Sequence, residues 1–316
     1  MIMPWFLCGF GLVLLLLAGD ALVKGAVNLS LRLGVPALIV SLTIVAFGTS
    51  APELLIAIQA VDDNAPGLAL GNVVGSNTAN ILMVLGIPAL LATMHTSECN
   101  TRKTYNFMIM ASVLFIALAF RGVFDWIAGA VLLTGLSLML ADAFRDAHLH
   151  RQAGKDAPEE EPEGADPDMP WWRILVFLVL GLIGLPLGAD LLVDNATIIA
   201  RTYGVSDTVI GLTLVAIGTS LPELATTVMA ALRRQADVAL GNVIGSNMFN
   251  LLAIIGIASF VGPIPVDPEF LAFDLWVMLG ASVLLFPFVY LCWNITRFWG
   301  AVLTGLYVAY LIVVLT

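Results

Sequence analysis

The chain has 316 residues, of which 60% are hydrophobic and 11% are charged, and its mean hydropathy is +0.99. These values exclude an ordinary soluble globular protein. Apolar runs of about 20 residues recur along the whole length, and each is long enough to cross the hydrocarbon core of a bilayer. The short alternating segments of a β-barrel are absent. We therefore expect an all-α polytopic membrane protein that lies in the lipid bilayer and has no nucleic-acid partner.

The net charge of −10 comes mostly from one segment. Residues 156–168 interleave aspartate and glutamate with proline and glycine. Such a segment cannot bury apolar surface, so it should be a disordered linker. We place this acidic linker at 144–170, between a first transmembrane repeat at 1–143 and a second at 171–316.

The apolar runs predict ten transmembrane helices, five on each side of the linker. Their approximate bounds are residues 4–31, 36–60, 67–93, 103–120, 123–143, 171–200, 205–232, 236–260, 269–291 and 298–316.

The two halves contain an internal repeat. By direct count, residues 41–86 and 211–256 share 22 identities in 46 positions without a gap. Five spans per copy is an odd number, so the second copy must enter the membrane from the opposite side. This predicts inverted-topology repeats, whose interface near the midplane is the usual place for substrate and coupling ions.

The basic residues predict the orientation. If the N-terminus lies outside, all of the 13 lysines and arginines except Arg121 and Arg201 lie on the cytoplasmic side. The positive-inside rule favours this arrangement. Both termini should then be outside and the acidic linker should be cytoplasmic.

Each repeat carries one glutamate within an apolar segment, Glu53 or Glu223. An acidic residue in a hydrocarbon layer is costly and usually marks an ion or proton pathway. Asp20 and Asp190 also lie in apolar spans, towards their far ends. For these two, a structural hydrogen bond or a water-facing role is favoured over ion ligation.

Each glutamate follows a sequence that should break its helix. Pro52 lacks an N–H and its ring would clash with the Gly48 carbonyl, so we expect a kink there. Unwinding frees the carbonyls from Ala46 to Thr49, and in lipid such groups must face protein, water or an ion. The same reasoning applies to the carbonyls from Ala216 to Thr219.

Oxygen-bearing side chains surround each glutamate at helical spacing. Thr49 and Glu53 are four residues apart, as are Ser76 and Asn80, so each pair shares a helical face. All-oxygen ligation with carboxylates suits Ca²⁺, and neutral oxygens suit Na⁺. Zn²⁺ or Cu⁺ would require Cys or His. The candidate side chains are Thr49, Ser50, Glu53, Ser76 and Asn80 in the first copy and Thr219, Ser220, Glu223, Ser246 and Asn250 in the second.

The charge of this site limits the mechanism. Two ionised glutamates carry −2, which one Ca²⁺ neutralises. Three monovalent cations would leave a net charge of +1, so a three-for-one exchange would be electrogenic and could use the membrane potential. The sequence thus predicts a transporter rather than an enzyme, with Ca²⁺ and Na⁺ as transported ions and no cofactor.

The motifs GTSAPEL with GNVVGSNTAN and GTSLPEL with GNVIGSNMFN resemble the two α-repeats of the sodium/calcium exchanger family. The resemblance implies a ten-helix antiporter of a bacterial or archaeal inner membrane that exchanges Na⁺ for Ca²⁺ by alternating access. It implies ligands at the ten side chains named above and at the Ala46 and Ala216 carbonyls. It further implies that helices 4–31 and 171–200 slide across the other eight.

Two features depart from some relatives. Asn80 and Asn250 stand where some relatives carry aspartate, which is associated with K⁺ co-transport or with a protonatable centre. Two asparagines therefore indicate K⁺ independence. The linker at 144–170 is also too short for the Ca²⁺-sensing domains of animal exchangers.

Two other functions are consistent with buried acids. A Ca²⁺/H⁺ antiporter would need only the carboxylates, so the many neutral oxygens favour Na⁺. An intramembrane hydrolase would show paired catalytic aspartates, a Ser–His pair or HExxH, and the sequence has none of these. The sequence does not determine the oligomeric state, and a monomer is compatible with it.

Overall fold

The computed structural model describes residues 2–96, 101–152, 166, 168–204 and 216–315. The described chain is mainly helical. Its α-helices are α1 (Ile2–Leu33), α2 (Ala37–Val40), α3 (Ala46–Thr49), α4 (Ala51–Asp62), α5 (Pro66–Ala79), α6 (Gly86–Leu91), α7 (Arg102–Ala119), α8 (Trp126–Gln152), α9 (Trp171–Thr202), α10 (Ala216–Gly218), α11 (Leu221–Leu232), α12 (Ala236–Met248), α13 (Ile255–Val261), α14 (Leu275–Val283), α15 (Phe286–Tyr290) and α16 (Arg297–Leu315). Among the described residues, π-helical segments occupy Ser41–Val45, Asn80–Val84, Phe249–Ile254 and Phe270–Asp274.

In the described part of the chain, seven helical spans are long and apolar enough to cross a membrane, and an eighth is formed by the bent pair Ala37–Thr49 and Ala51–Asp62. The prediction of a polytopic helical membrane protein is therefore confirmed. Two of the ten predicted spans are not in this set. Span 103–120 corresponds to α7, whose first turn carries Arg102 and Lys103. Span 205–232 includes residues 205–215, which lie outside the described residues.

The predicted bounds around the fifth span were wrong at both ends. Val123–Phe124 is a short strand paired with Ile264–Pro265, so the helix begins only at Trp126. It then continues to Gln152, into the predicted linker 144–170. The reason is local: residues 144–152 contain neither proline nor glycine, and the first such residue is Gly154.

The ninth predicted span, 269–291, is not one continuous helix. Its α-helix α14 ends at Val283, and α15 restarts at Phe286 with Pro287 in its first turn. A proline cannot donate the backbone hydrogen bond that would join the two pieces, so the break lies just before it.

The predicted break beside each glutamate is confirmed. The chain bends by 43° between α2–α3 and α4. Ser50 lies at the bend with φ −86° and ψ 4°, and Ser220 has nearly the same backbone, with φ −89° and ψ 3°. Pro52 and Pro222 each lie in the first turn of the following helix, as their missing N–H requires.

The core is built around the two helices that carry the GNV motifs. Pro66–Leu91 and Ala236–Val261 are the most buried of the apolar spans. Helices α1 and α9 form a separate pair beside this core. A Cβ on Gly11 would lie 2.8 Å from the Leu192 nitrogen, and one on Gly181 would lie 2.5 Å from the Leu22 Cβ. The pair therefore packs at close main-chain distance.

Glycines of α12 allow the first half of the chain to approach the second. A Cβ on Gly245 would lie 2.6 Å from both the Leu42 carbonyl oxygen and the Ala46 Cβ. Nearby, the Ser41 hydroxyl donates to the Val238 carbonyl at 2.6 Å. This contact holds the bent segment against α12.

We expect Gly245→Ala to lower the free energy of unfolding by about 1–3 kcal/mol, because the added methyl overlaps a main-chain oxygen that cannot move freely. The measurement is the thermal unfolding midpoint of the purified protein in detergent. Gly280→Ala is the matched control, since a Cβ at that position meets nothing within 4 Å. Equal midpoints for the two variants would contradict the packing argument.

Candidate ion-binding site

The two glutamates lie in the first turns of α4 and α11, directly after the chain breaks. Glu53 and Glu223 are each only 1% exposed. The N-terminal end of a helix carries a partial positive charge, which stabilises a nearby carboxylate. Two helix N-termini therefore support two carboxylates in an otherwise apolar interior.

Glu223 receives a hydrogen bond from the other half of the chain. The Ser50 hydroxyl donates to Glu223 Oε1 at 3.3 Å. Thr49 and Ser246 are themselves 3.4 Å apart, oxygen to oxygen. Residues that are more than 170 positions apart in sequence thus share one polar cluster.

The two carboxylates repel each other. Glu53 lies close enough to Glu223 for a direct electrostatic interaction between like charges. Within the described part of the chain, neither glutamate forms a salt bridge. Ionised carboxylates without a positive partner are strongly disfavoured inside a protein. Either protons or bound cations must therefore neutralise this charge.

Within the described residues, several buried oxygens of the predicted ligand set have no hydrogen-bond donor. Lone pairs without a donor in a buried site are available to a cation. These atoms are Glu53 Oε2, Glu223 Oε2, Ser220 Oγ, Asn80 Oδ1 and Asn250 Oδ1.

The structure also identifies two residues that the sequence analysis did not assign. The Thr49 hydroxyl donates to Asn242 Oδ1 at 3.3 Å, and the Thr219 hydroxyl donates to Asn72 Oδ1 at 3.5 Å. These two contacts are equivalent under the 170-residue offset of the repeat. Asn242 Nδ2 also donates to the Glu223 carbonyl oxygen at 3.3 Å. The signal was present: each asparagine lies four residues before the serine of its GNV motif, on the same helical face.

A second pair of equivalent contacts lies deeper in the core. Asn77 Nδ2 is 3.8 Å from Met278 Sδ, and Asn247 Nδ2 is 3.9 Å from Met108 Sδ. Asn80 Nδ2 donates to Asn247 Oδ1 at 3.1 Å, so the two GNV helices meet there.

Asn80 and Asn250 lie in π-helical segments. A π-helical turn inside an α-helix often occurs at a functional site. Neither segment was predicted from the sequence.

The remaining predicted ligands are Ser76 and the carbonyls of Ala46 and Ala216. Ser76 is buried, and it lies one turn before Asn80 on α5. The Ala46 carbonyl oxygen accepts from the Ser50 nitrogen at 3.1 Å and from the Thr49 hydroxyl at 3.2 Å. A cation at this carbonyl would have to displace one of these donors. Ala216 begins α10, directly after residues 205–215, which lie outside the described residues.

Asp20 and Asp190 lie away from this cluster. Asp20 forms ion pairs with Arg233 and Lys24, and Asp190 is exposed. Asp20 therefore has ion-pair partners, which are compatible with the predicted structural role.

The donor set suits a hard cation. Among the described residues, no three His, Cys, Asp or Glu side chains come together. The cluster instead combines two carboxylates with hydroxyl, amide and carbonyl oxygens. Ca²⁺ takes six to eight such oxygens, and a site of this composition can also accept monovalent cations.

Comparison with known proteins agrees with this chemistry. The family model described as "Sodium/calcium exchanger protein" matches residues 3–141 and 173–316. The sodium/calcium exchanger MaX1 of Methanosarcina acetivorans is 34% identical, with 96% of both chains covered. The inner membrane protein YrbG of Escherichia coli is 34% identical, covering 95% of this chain and 93% of YrbG.

The fold is similar to that of solved exchanger structures. The structure of the sodium-calcium exchanger NCX_Mj soaked with 2.5 mM Na⁺ and 1 mM Sr²⁺ matches with a TM-score of 0.81 and 32% identity, and 98% of each chain is covered. Family, relatives and fold all agree with the duplicated motifs, and the chain belongs to the sodium/calcium exchanger family.

Proposed function

We propose that this protein is an antiporter that exchanges Na⁺ for Ca²⁺ across the membrane by alternating access. The observation that carries the proposal is the group of buried oxygens without donors beside two buried carboxylates. A metal cation needs such neutral oxygen ligands, whereas a proton needs only a carboxylate. Membership of the sodium/calcium exchanger family supports the same substrates.

The proposed architecture is ten transmembrane helices in two inverted five-helix repeats. The contacts Thr49–Asn242 and Thr219–Asn72 support it. Each contact joins the two halves, and the 170-residue offset of the repeat converts one contact into the other. The charge distribution supports an orientation with both termini outside the cytoplasmic membrane and the acidic linker in the cytoplasm. A single chain contributes every proposed ligand, so a monomer suffices.

The proposed ligands are the twelve positions of the sequence analysis. Glu53 and Glu223 bridge Ca²⁺, and the neutral oxygens complete the Ca²⁺ and Na⁺ sites. Asn80 and Asn250 add no charge, which supports K⁺ independence and leaves −2 at the centre. One Ca²⁺ balances that charge, whereas three Na⁺ exceed it by one.

We expect Na⁺-loaded proteoliposomes diluted into Na⁺-free buffer to take up ⁴⁵Ca²⁺, because outward Na⁺ flux drives inward Ca²⁺ flux. Glu53→Gln and Glu223→Gln should each reduce this uptake to background, since each removes half of the central charge. The matched control is Glu269→Gln, an exposed glutamate at the start of a different span. Uptake that persists in both glutamine variants would remove the glutamates from the mechanism.

The same vesicles separate Na⁺ coupling from H⁺ coupling. An imposed pH gradient without Na⁺ should drive no ⁴⁵Ca²⁺ uptake. Uptake driven by the pH gradient alone would identify a Ca²⁺/H⁺ antiporter instead.

The exchange should respond to voltage. If three Na⁺ leave for each Ca²⁺ that enters, one net positive charge leaves per cycle, and an inside-positive potential contributes about 2.3 kcal/mol per 100 mV. An inside-positive potential, set with K⁺ and valinomycin, should therefore raise the initial rate of ⁴⁵Ca²⁺ uptake. The same K⁺ gradient without valinomycin is the control. An initial rate that is the same with and without the potential would indicate electroneutral exchange.

Asn242 should position a ligand. It accepts from Thr49 and donates to the Glu223 main chain, so Asn242→Ala releases both. Loss of a group that orients a metal ligand typically weakens metal affinity, and we expect the apparent KM for Ca²⁺ to rise about tenfold with a smaller change in maximal rate. Ser259→Ala is the control, because Ser259 is equally buried but bonds to the Ile255 carbonyl of its own helix. Equal KM values in the two variants would contradict the positioning role.

A further inference from the structure

The pair formed by α1 and α9 contacts the rest of the molecule unequally. On α1, a Cβ at Gly19 would lie 2.9 Å from the Ala225 carbonyl oxygen of α11. Subtracting the repeat offset of 170 makes Leu55 of α4 the equivalent of Ala225. Ala225 is 5% exposed and Leu55 is 67% exposed. Thus α1, which belongs to the first half, is docked on α11 of the second half, whereas the equivalent surface of α4 is not covered.

An ion pair lies beside the docked contact. Arg233 follows the last residue of α11, and its Nε and Nη2 both lie 2.5 Å from Asp20 Oδ1. Lys24 Nζ lies 3.0 Å from Asp20 Oδ2. The Asp20 and Arg233 side chains are 21% and 19% exposed, so water screens this pair only in part. The ion pair joins α1 to the core at the docked side.

The equivalent positions on the other half carry different charges. Asp20 corresponds to Asp190, and Arg233 corresponds to Asp63. Lys24 corresponds to Asp194, and all three equivalents are exposed. If α9 docked on α4 as α1 docks on α11, Asp190 would approach Asp63, and two negative charges would repel each other. Among the described residues, the Asp20–Arg233 ion pair has no counterpart at Asp190 and Asp63, where both side chains are acidic.

In inverted-repeat transporters, access alternates when one bundle moves against the other around a fixed site. We propose that the Asp20–Arg233 ion pair is a latch that holds the α1–α9 pair in the docked position described here and biases the protein towards closure on the Arg233 side. In the proposed orientation this side is cytoplasmic, so the favoured state has its site accessible from outside. The inference rests on the proposed function, because it assumes two alternating closures.

The ion pair must break each time the site opens on the Arg233 side. Its removal should therefore raise the population of that second state. A ligand's apparent affinity from one side scales with the population open to that side, so the bias also sets the balance of affinities between the two faces.

Cysteine accessibility tests the latch without any ion flux. The reporter is Ala225→Cys in a full-length protein whose Cys8, Cys99 and Cys292 are replaced by serine. The protein is placed in lipid nanodiscs, which leave both faces of the membrane open to the reagent. The rate of maleimide labelling at position 225 is measured with Na⁺ present and Ca²⁺ absent. We expect Asp20→Asn and Arg233→Gln each to raise this rate about two- to fivefold, the range of a partly exposed ion pair.

Three controls make the result specific. Arg234→Gln removes the same charge from the neighbouring exposed position and should leave the rate unchanged. The double variant Asp20→Arg with Arg233→Asp restores an ion pair with reversed charges and should return the rate to near that of the parent. A second reporter, Ala258→Cys, lies in the main core and should stay unlabelled in every variant.

Parent-like rates in both Asp20→Asn and Arg233→Gln would overturn the latch, as would an equal increase in Arg234→Gln. An increase at position 258 that matches the increase at position 225 would also overturn it, because the variants would then loosen the whole fold. Because labelling does not depend on transport, a failed Na⁺/Ca²⁺ exchange assay with the expected labelling would reject the proposed function and leave the two-state latch intact.

Discussion

The structure depends on the burial of two carboxylates, Glu53 and Glu223, in an apolar interior. Each is 1% exposed, and they lie near enough to repel each other. Burial of an isolated ionised acid is prohibitive unless positive charge and hydrogen bonds compensate for lost hydration. Helix N-termini and hydroxyl groups supply part of that compensation. The remainder must come from protons or cations, and in the proposed function the transported ions supply it.

The breaks in the helices follow from the same constraint. A continuous helix would direct Ser50 to a different face from Thr49 and Glu53. Pro52 prevents this, and the 43° bend places a helix N-terminus at the site. The cluster is completed only across the two halves, because Thr49 contacts Asn242 and Ser50 contacts Glu223. The duplication therefore provides two incomplete half-sites that form one oxygen-rich cluster when paired.

Equivalent sequences do not occupy equivalent environments. Two pairs of polar contacts at the centre follow the repeat, whereas the docking of α1 and α9 on the core does not. Ala225 is covered and its equivalent Leu55 is exposed. In the proposed alternating-access mechanism, the asymmetric docking of this helix pair corresponds to one of the two alternating states. The charges at Asp20, Arg233 and their equivalents differ, so the two states need not have equal free energy.

The sequence by itself determined the membrane class, the repeat, both helix breaks and the glutamates, because hydropathy, proline stereochemistry and duplication act over short stretches of chain. It misjudged where α8 ends, since helix propensity carries the helix past the apolar stretch to Gln152. It also left Asn72 and Asn242 unassigned, because their partners lie about 150 to 190 positions away. Only the tertiary structure decided these pairings, the Asp20–Arg233 contact and the one-sided docking of α1. Such contacts depend on how helices pack in three dimensions, and no local pattern in the chain encodes that packing.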